Sequence, residues 1–199
     1  MKKLFGVLCA VGVTASILSF NHNEISDFEG TNAPDLAKSH VTWKGTKFDQ
    51  TQNKDKSHNG TVKLKDAKVR LNQNTPEAVS VTVDLANMTN FDLPENMQGR
   101  LISHLQSADF FDISVFPDAT FTSTKITKLT NDKFQFNMEG NITIKGISKP
   151  LSVNGHIVTI DGKKVLETEK FALNGEEFGF IKPGGGYKDV SLRVQIVLD

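Results

Sequence analysis

Cysteine is almost absent from this 199-residue chain, and this limits how the fold can be held together. The one cysteine, Cys9, lies in the apolar N-terminal segment, so the rest of the chain has no disulfide framework and no cysteine-based zinc site. A chain of this length can bury enough apolar surface to fold without cross-links. We therefore expect one domain stabilised by core packing and hydrogen bonds.

An excess of charge of either sign is also lacking. Lysine and arginine number 23, and so do aspartate and glutamate. Removal of Lys2 and Lys3 with the leader described below leaves the chain two charges negative. Because nucleic-acid binding needs clustered lysine and arginine, nucleic acid is excluded as an expected partner.

Recognisable catalytic and metal-binding motifs are missing as well. The four histidines beyond the N-terminal region are far apart, and no pair has metal-ligand spacing: His40, His58, His104 and His156. No Gly-x-Ser-x-Gly motif occurs, and the glycines at 184–186 are not followed by the Lys-Ser or Lys-Thr of a phosphate-binding loop. The sequence predicts no catalytic residues, no metal site and no cofactor, and we do not expect an enzyme.

The first 19 residues are typical of a secretory signal peptide. Two lysines precede an apolar run from Leu4 to Leu18, and small residues near 15–19 offer cleavage sites. The next segment, 20–37, has no sustained periodicity, which predicts a flexible lead-in to a folded domain over 38–199. Export to the periplasm is the expected outcome.

From residue 38 onward, apolar and polar side chains alternate, as they do in β-strands with one buried face. The alternation is clearest at 79–85, 134–145, 151–157 and 190–198, and weaker at 41–48, 61–71, 121–126 and 165–173. Turn residues, including Asn59-Gly60 and Asp161-Gly162, separate these segments. Eight strands joined by short turns predict an all-β, antiparallel, up-and-down barrel.

Two features interrupt the strand pattern. Apolar residues recur at three- and four-residue spacing within 95–106, which predicts an amphipathic helix that could cover one end of the barrel: Met97, Leu101, Ile102 and Leu105. The apolar parity also flips between Leu64 and Ala67, which predicts a bulge at Lys65-Asp66.

The aromatic composition leaves two kinds of barrel interior open. Phenylalanine occurs 14 times, against one tyrosine and one tryptophan. Phenylalanine packs a core well, so a barrel filled by its own side chains is one alternative. The other is a hollow barrel, because eight strands enclose enough room for one small ligand, and an apolar interior would select an apolar one.

Two motifs resemble hallmarks of the YceI-like family of bacterial secreted proteins. The first is SHLQSADFFD at 103–112, followed by FPDATF at 116–121, and the second is GNITIKGISKP at 140–150. Residues 39–43 are similar to the family's opening strand and 171–179 to its late segment. The resemblance implies an elongated, lipocalin-like, eight-stranded antiparallel barrel in the periplasm. Its apolar interior would bind a polyisoprenoid, a quinone or a similar long-chain amphiphilic lipid.

Within such a barrel, inward strand parity identifies the expected ligand-binding residues. Those expected along the tunnel are Trp43, Val81, Val83, Phe134, Phe136, Met138, Ile142, Ile144, Val153, Leu192 and Val194. His104, Phe110 and Phe111 are expected at the mouth, near the head of the ligand, with a purely structural role for their motif as an equal alternative. The chain departs from the family pattern at 49–59 and 182–189, and either change could alter the mouth or the depth of the tunnel.

The predicted function is a binding or carrier protein for such a lipid. One alternative is a stress-related structural or interaction protein with a filled barrel, and a second is an enzyme acting on the same lipid. A homodimer and a transient contact with a membrane or a membrane protein are left open as further interactions. The sequence does not decide between transport, storage and sensing.

Overall fold

The computed structural model describes residues 33–130, 133–187 and 189–198. Their secondary structure, in chain order, is β1 (His40–Asp49), β2 (Lys54–Asn72), β3 (Thr75–Met88), α1 (Glu95–Gln106), β4 (Asp118–Lys128), β5 (Phe136–Ile144), β6 (Ile147–Ile160), β7 (Lys163–Thr168), β8 (Phe171–Leu173) and β9 (Val190–Leu198). The proposed signal peptide and most of the proposed lead-in lie outside the described residues.

The strands form one closed antiparallel barrel. Neighbours in sequence pair from β1 through β7, and β1 also pairs with β9, so the sheet closes on itself. β7 and β8 occupy one position in the barrel, because each pairs with a different half of β9. The prediction of an eight-stranded antiparallel barrel is confirmed.

Both predicted interruptions of the strand pattern are present. The helix α1 has the predicted bounds, and three of its apolar side chains are half-buried against the core: Leu101, Ile102 and Leu105. The fourth, Met97, is 49% exposed and does not take part in this face. The register between β2 and β3 shifts between Leu64 and Asp66, as the parity flip predicts.

The predicted turn at Asn59-Gly60 is wrong. Both residues lie inside β2, where Gly60 pairs with Trp43, and the hairpin turn falls at 50–53. Gly60 is needed for a different reason: a side-chain Cβ at this position would overlap the backbone carbonyl of Thr89. A close crossing of two backbone segments therefore explains a glycine whose local sequence is typical of a turn.

The two ends of the barrel differ. In an up-and-down barrel alternate connections share an end, so the β2–β3, β4–β5 and β6–β7 connections lie together, opposite α1. Val69, Phe136 and Leu198 have 0–1% of their surface exposed and belong to the core cluster that fills the first end. Asp35 donates its backbone N–H to the Val197 carbonyl at 2.8 Å, so the segment before β1 also packs there. We call this the closed end.

Candidate ligand-binding cavity

The barrel encloses an apolar cavity of about 400 Å³. This volume lies within the range of ligand pockets in proteins, about 300 to 1,000 Å³. The wall is built from inward-facing aliphatic and aromatic side chains of the strands, together with Leu101 and Leu105 of α1. The polar side chains of the lining are Thr120 and Thr168 on the wall, and Thr46, Lys47, Lys56, His58, His104 and Tyr187 at the end opposite the closed end. We call this second end the mouth.

Most of the predicted ligand-binding residues lie on this wall, nine of them through strand parity and three on or after α1. Twelve of the fourteen line the cavity: Trp43, Val81, Val83, His104, Phe110, Phe111, Met138, Ile142, Ile144, Val153, Leu192 and Val194. Their contact with a ligand stays a prediction.

The other two, Phe134 and Phe136, do not line the cavity. Phe136 is fully buried in the closed end, where its ring covers Gly155 on the neighbouring strand. Phe134 precedes β5 and stacks on His156, with ring centroids 5.8 Å apart. Parity identifies the face of a strand but not the depth along the barrel axis, and Phe136 lies too near the closed end. Phe134 lies before the strand begins, and its partner His156 alternates with the inward-facing Val153 and Gly155, so the ring is on the outer face.

Several lining residues come from segments that the sequence patterns did not assign to the site. Phe180, Ile181 and Tyr187 lie between β8 and β9, in a stretch without regular secondary structure. Lys47, Lys56 and His58 lie on the β1–β2 hairpin, the last two of them within the polar stretch at 49–59 that departs from the family pattern. The apolar face of α1 was the only sequence pattern that pointed to any of these non-strand lining residues, and it predicts the helical part of the lining.

A row of aromatic rings crosses the mouth. His104 meets Phe110 edge to face with ring centroids 4.8 Å apart, and Phe110 meets Tyr187 in the same way at 5.7 Å. The Nζ atom of Lys47 lies 4.6 Å from the centre of the Tyr187 ring. The predicted mouth residues thus lie beside a cation and a tyrosine that the sequence analysis did not single out.

Lys145 ties together the segments that surround the mouth. Its Nζ donates hydrogen bonds to the carbonyl oxygens of Phe110 at 2.7 Å, Gly179 at 3.2 Å and Ala108 at 3.4 Å. It lies in the β5–β6 turn with a φ of 51°. The two hallmark motifs therefore meet at this side chain, which gives their sequences a structural reason.

Replacing Lys145 with methionine is expected to lower the free energy of unfolding by about 2 kcal/mol, because three carbonyl oxygens, one of them on the buried residue Phe110, lose their charged hydrogen-bond donor. Lys164→Met is the matched control, since Lys164 is exposed on β7 at the other end, and the expected change there is below about 0.5 kcal/mol. Urea unfolding followed by circular dichroism measures both. Equal effects of the two substitutions would show that the hydrogen bonds of Lys145 do not stabilise the mouth.

A second polar cluster anchors the chain after β3 to the β1–β2 hairpin. The Asp92 carboxylate accepts hydrogen bonds from the backbone N–H of Asn59 at 2.7 Å and from the Asn90 side chain at 2.8 Å, and it pairs with the His58 ring at 2.7 Å. Burial alone would raise the pKa of Asp92, but these hydrogen bonds outweigh it and hold the pKa below its usual value. The charged carboxylate therefore stabilises the fold.

This depressed pKa predicts a pH dependence of stability. A carboxyl group whose pKa is lower in the folded state contributes stability above its unfolded pKa of about 4, and this is lost as the pH falls. We expect the unfolding free energy of Asp92→Asn to decline less steeply between about pH 5 and 3 than that of the wild type. Asp66→Asn, on the exposed bulge of β2, is the control and should keep the wild-type slope.

Neither a metal-binding cluster nor a membrane-spanning helix is present in the part of the chain that the structure describes. Among residues 33–130, 133–187 and 189–198, no three His, Cys, Asp or Glu side chains are grouped so that they could hold a metal ion. Within the same ranges, no helix is both long and apolar enough to cross a bilayer.

Comparison with known proteins gives sequence relatives. The family model of the YceI-like domain matches residues 33–199. A UPF0312 protein of Pseudomonas putida is 30% identical over 143 residues, which cover 69% of this chain and 71% of that protein. The protein YceI of Escherichia coli O6:H1 is 31% identical over 99 residues, about half of each chain. UPF0312 proteins of Shewanella baltica are 46% identical over 55 residues, and the match spans only 28% of their length.

Solved structures share the fold. BcnA of Burkholderia cenocepacia superposes with a TM-score of 0.65 at 22% identity, covering 83% of this chain and 99% of that one. The YCEI protein of Campylobacter jejuni superposes with a TM-score of 0.51 at 23% identity, covering 68% and 83%. Since the family model spans the whole barrel and both hallmark motifs, the chain belongs to the YceI-like family.

Proposed function

We propose that this protein binds a long-chain amphiphilic lipid, such as a polyisoprenoid, a quinone or a fatty-acyl compound, and carries it in the periplasm without altering it. The observation that supports this is the apolar cavity, whose charged side chains are confined to the mouth. Such an interior favours a hydrocarbon chain over a polar molecule, because each buried methylene contributes about 0.8 kcal/mol. Chain length would then govern affinity.

The dimensions of the cavity suit a long chain. Val41 and Lys47 both line it, on the same face of β1. At the rise of a β-strand, the six residue steps from Val41 to Lys47 correspond to about 20 Å along the strand. An extended hexadecyl chain is of comparable length, so its tail would reach the closed end with its head at the mouth.

Two further observations support the periplasmic location and the absence of chemistry in this proposal. The signal-peptide pattern of the first 19 residues supports a periplasmic location. An enzyme acting on the same lipid would need a reactive group on the cavity wall. In the described ranges, the polar side-chain groups of the wall below the mouth are the hydroxyls of Thr120 and Thr168 and the indole N–H of Trp43, none of which is a nucleophile or base activated by a neighbour. Carriage without chemistry is therefore the better-supported proposal.

The experiment starts from mature protein isolated from its own periplasm. Native mass spectrometry followed by organic extraction should yield a bound lipid, and repeating isoprene mass units would name a polyisoprenoid. Turnover of the extracted lipid would favour the enzyme instead.

Binding can be measured directly because Trp43, the only tryptophan in the chain, lines the cavity. Titration of delipidated protein with dodecanol, tetradecanol and hexadecanol should change its fluorescence, and affinity should rise by about fourfold per methylene. An empty isolated protein that also fails to bind these alcohols would sink the proposal and favour a barrel that acts through its outer surface.

A further inference from the structure

The β1–β2 hairpin projects beyond the rim of the barrel at the mouth. β9 pairs with β1 only over His40–Lys44, whereas β1 and β2 remain paired as far as Asp49 and Lys54. The projecting part, residues 45–57, continues the face that carries Trp43 and lines the cavity below. Its inward side chains therefore stand above the opening.

Two lysines occupy this inward face side by side. Lys47 and Lys56 are direct cross-strand partners, so their side chains lie on the same face of the hairpin. Like charges in this arrangement repel each other and destabilise the pairing. The projecting part, residues 45–57, contains three lysines and two aspartates, so it carries one net positive charge.

Among the residues that the structure describes, one carboxylate forms an ion pair with either of these two lysines. Lys56 forms an ion pair with Asp49. The Lys47 ammonium group lies over the Tyr187 ring, and among the described residues it has no carboxylate within 4.0 Å. The mouth thus keeps a cation that an incoming anion could neutralise.

The lysine pair also lies where apolar lining gives way to a polar recess. Lys47 and Lys56 line both the apolar cavity and a second recess of about 450 Å³. The other walls of this recess are Phe48, Asp49, Gln50 and the glycines at 184–186. Phe48 donates its backbone N–H to the Gly186 carbonyl at 2.8 Å, so the hairpin and the glycine segment are held together.

We propose that Lys47 and Lys56 bind the anionic head group, a carboxylate or a phosphate, of the lipid whose tail fills the cavity. This inference rests on the proposed function, since it needs a tail in the barrel. A bound anion would accept hydrogen bonds from both ammonium groups and remove their mutual repulsion. A neutral head would leave the repulsion in place, and a cationic head would add to it.

The test compares four lipids that share a sixteen-carbon chain and differ in their head group. Hexadecanoic acid, hexadecyl phosphate, hexadecanol and hexadecyltrimethylammonium are titrated below their micelle concentrations at about pH 8, where both acids are ionised. Trp43 fluorescence reports binding of each. Each anion should bind about tenfold more tightly than the alcohol, the cation more weakly, and added salt should reduce the difference. A stronger preference for one acid identifies the carboxylate or the phosphate as the natural head.

Variants assign the preference to the lysine pair. In Lys47→Gln/Lys56→Gln the ratio of anion to alcohol affinity should fall to about one. Lys44→Gln is the matched control, because Lys44 is exposed on the outer face of the same strand, and it should keep the wild-type ratio.

The outcomes separate the two proposals. If all four heads bind equally in the wild type, or if the double variant keeps the preference, the head-group inference is overturned while lipid binding stands. If none of the four binds, lipid binding fails and the head-group inference fails with it.

Discussion

Replacing Gly60 with alanine is expected to lower the free energy of unfolding by about 3 kcal/mol or more. The new Cβ would overlap the Thr89 carbonyl, and the Asn90 Cα lies only 3.0 Å from the same point. These are backbone atoms, which cannot rotate away as the end of a flexible side chain can. The crossing segment would have to move as a unit and break its hydrogen bond from Thr89 N–H to the Thr61 carbonyl.

Gly45→Ala is the matched control for this substitution. Gly45 lies on the same hairpin and the same inward face, and a Cβ there meets no atom within 4 Å. Its stability should be unchanged or raised by about 0.5 kcal/mol, because alanine loses less conformational entropy on folding than glycine does. Chemical denaturation of both variants measures the two changes in the free energy of unfolding. A small effect at Gly60 would mean that the crossing segment is free to shift.

Gly60 also illustrates where sequence patterns reached their limit. Asn-Gly between apolar runs is typical of a turn, but this glycine is explained by a contact with residues 29 to 30 positions away in sequence. Such tertiary contacts leave no periodic signal. By contrast, β5 was predicted from alternation over its whole length, because one face lies in the core and the other in solvent.

The dependence of alternation on a buried strand face also explains the polar stretch at 49–59. Alternation arises when one face of a strand is buried, and the projecting hairpin has no core beneath it. Its strands are held by backbone pairing between β1 and β2, which any residue except proline can supply. The sequence therefore did not predict strand here, nor that Lys47 and Lys56 would face the cavity.

Within the cavity, strand parity predicted which residues line the wall but not which residues form the mouth and the closed end. Val81 and Val153 alternate with polar neighbours, and both line the cavity. Tyr187 lies in an irregular segment whose path depends on the glycines before it and on contact with the hairpin, through a single bridge to Lys47. The walls could be predicted because they repeat, whereas the mouth is assembled from contacts between distant segments.

Filling the middle of the cavity should abolish lipid binding. Val81 on β3 and Val153 on β6 are buried lining residues, 6% and 3% exposed, so phenylalanine at both positions would occupy space that the proposed tail needs. If even half of a hexadecyl chain is excluded, about eight methylenes lose about 0.8 kcal/mol each, and affinity should fall by far more than 100-fold.

Val81 and Val153 belong to the core cluster and also line the cavity, so the added rings extend into the cavity from packed positions, and the fold should survive with a loss of about 1–3 kcal/mol. Ser152→Phe is the matched control: it adds a ring to the exposed outer face of β6, next to Val153, and should bind hexadecanol as the wild type does. Trp43 fluorescence measures binding in each variant, and circular dichroism with thermal unfolding checks that the barrel is intact. A folded Val81→Phe/Val153→Phe variant that still binds hexadecanol with wild-type affinity would place the lipid outside the barrel. The apolar interior would then serve stability alone, and the projecting hairpin would have to bind the lipid without a tunnel beneath it.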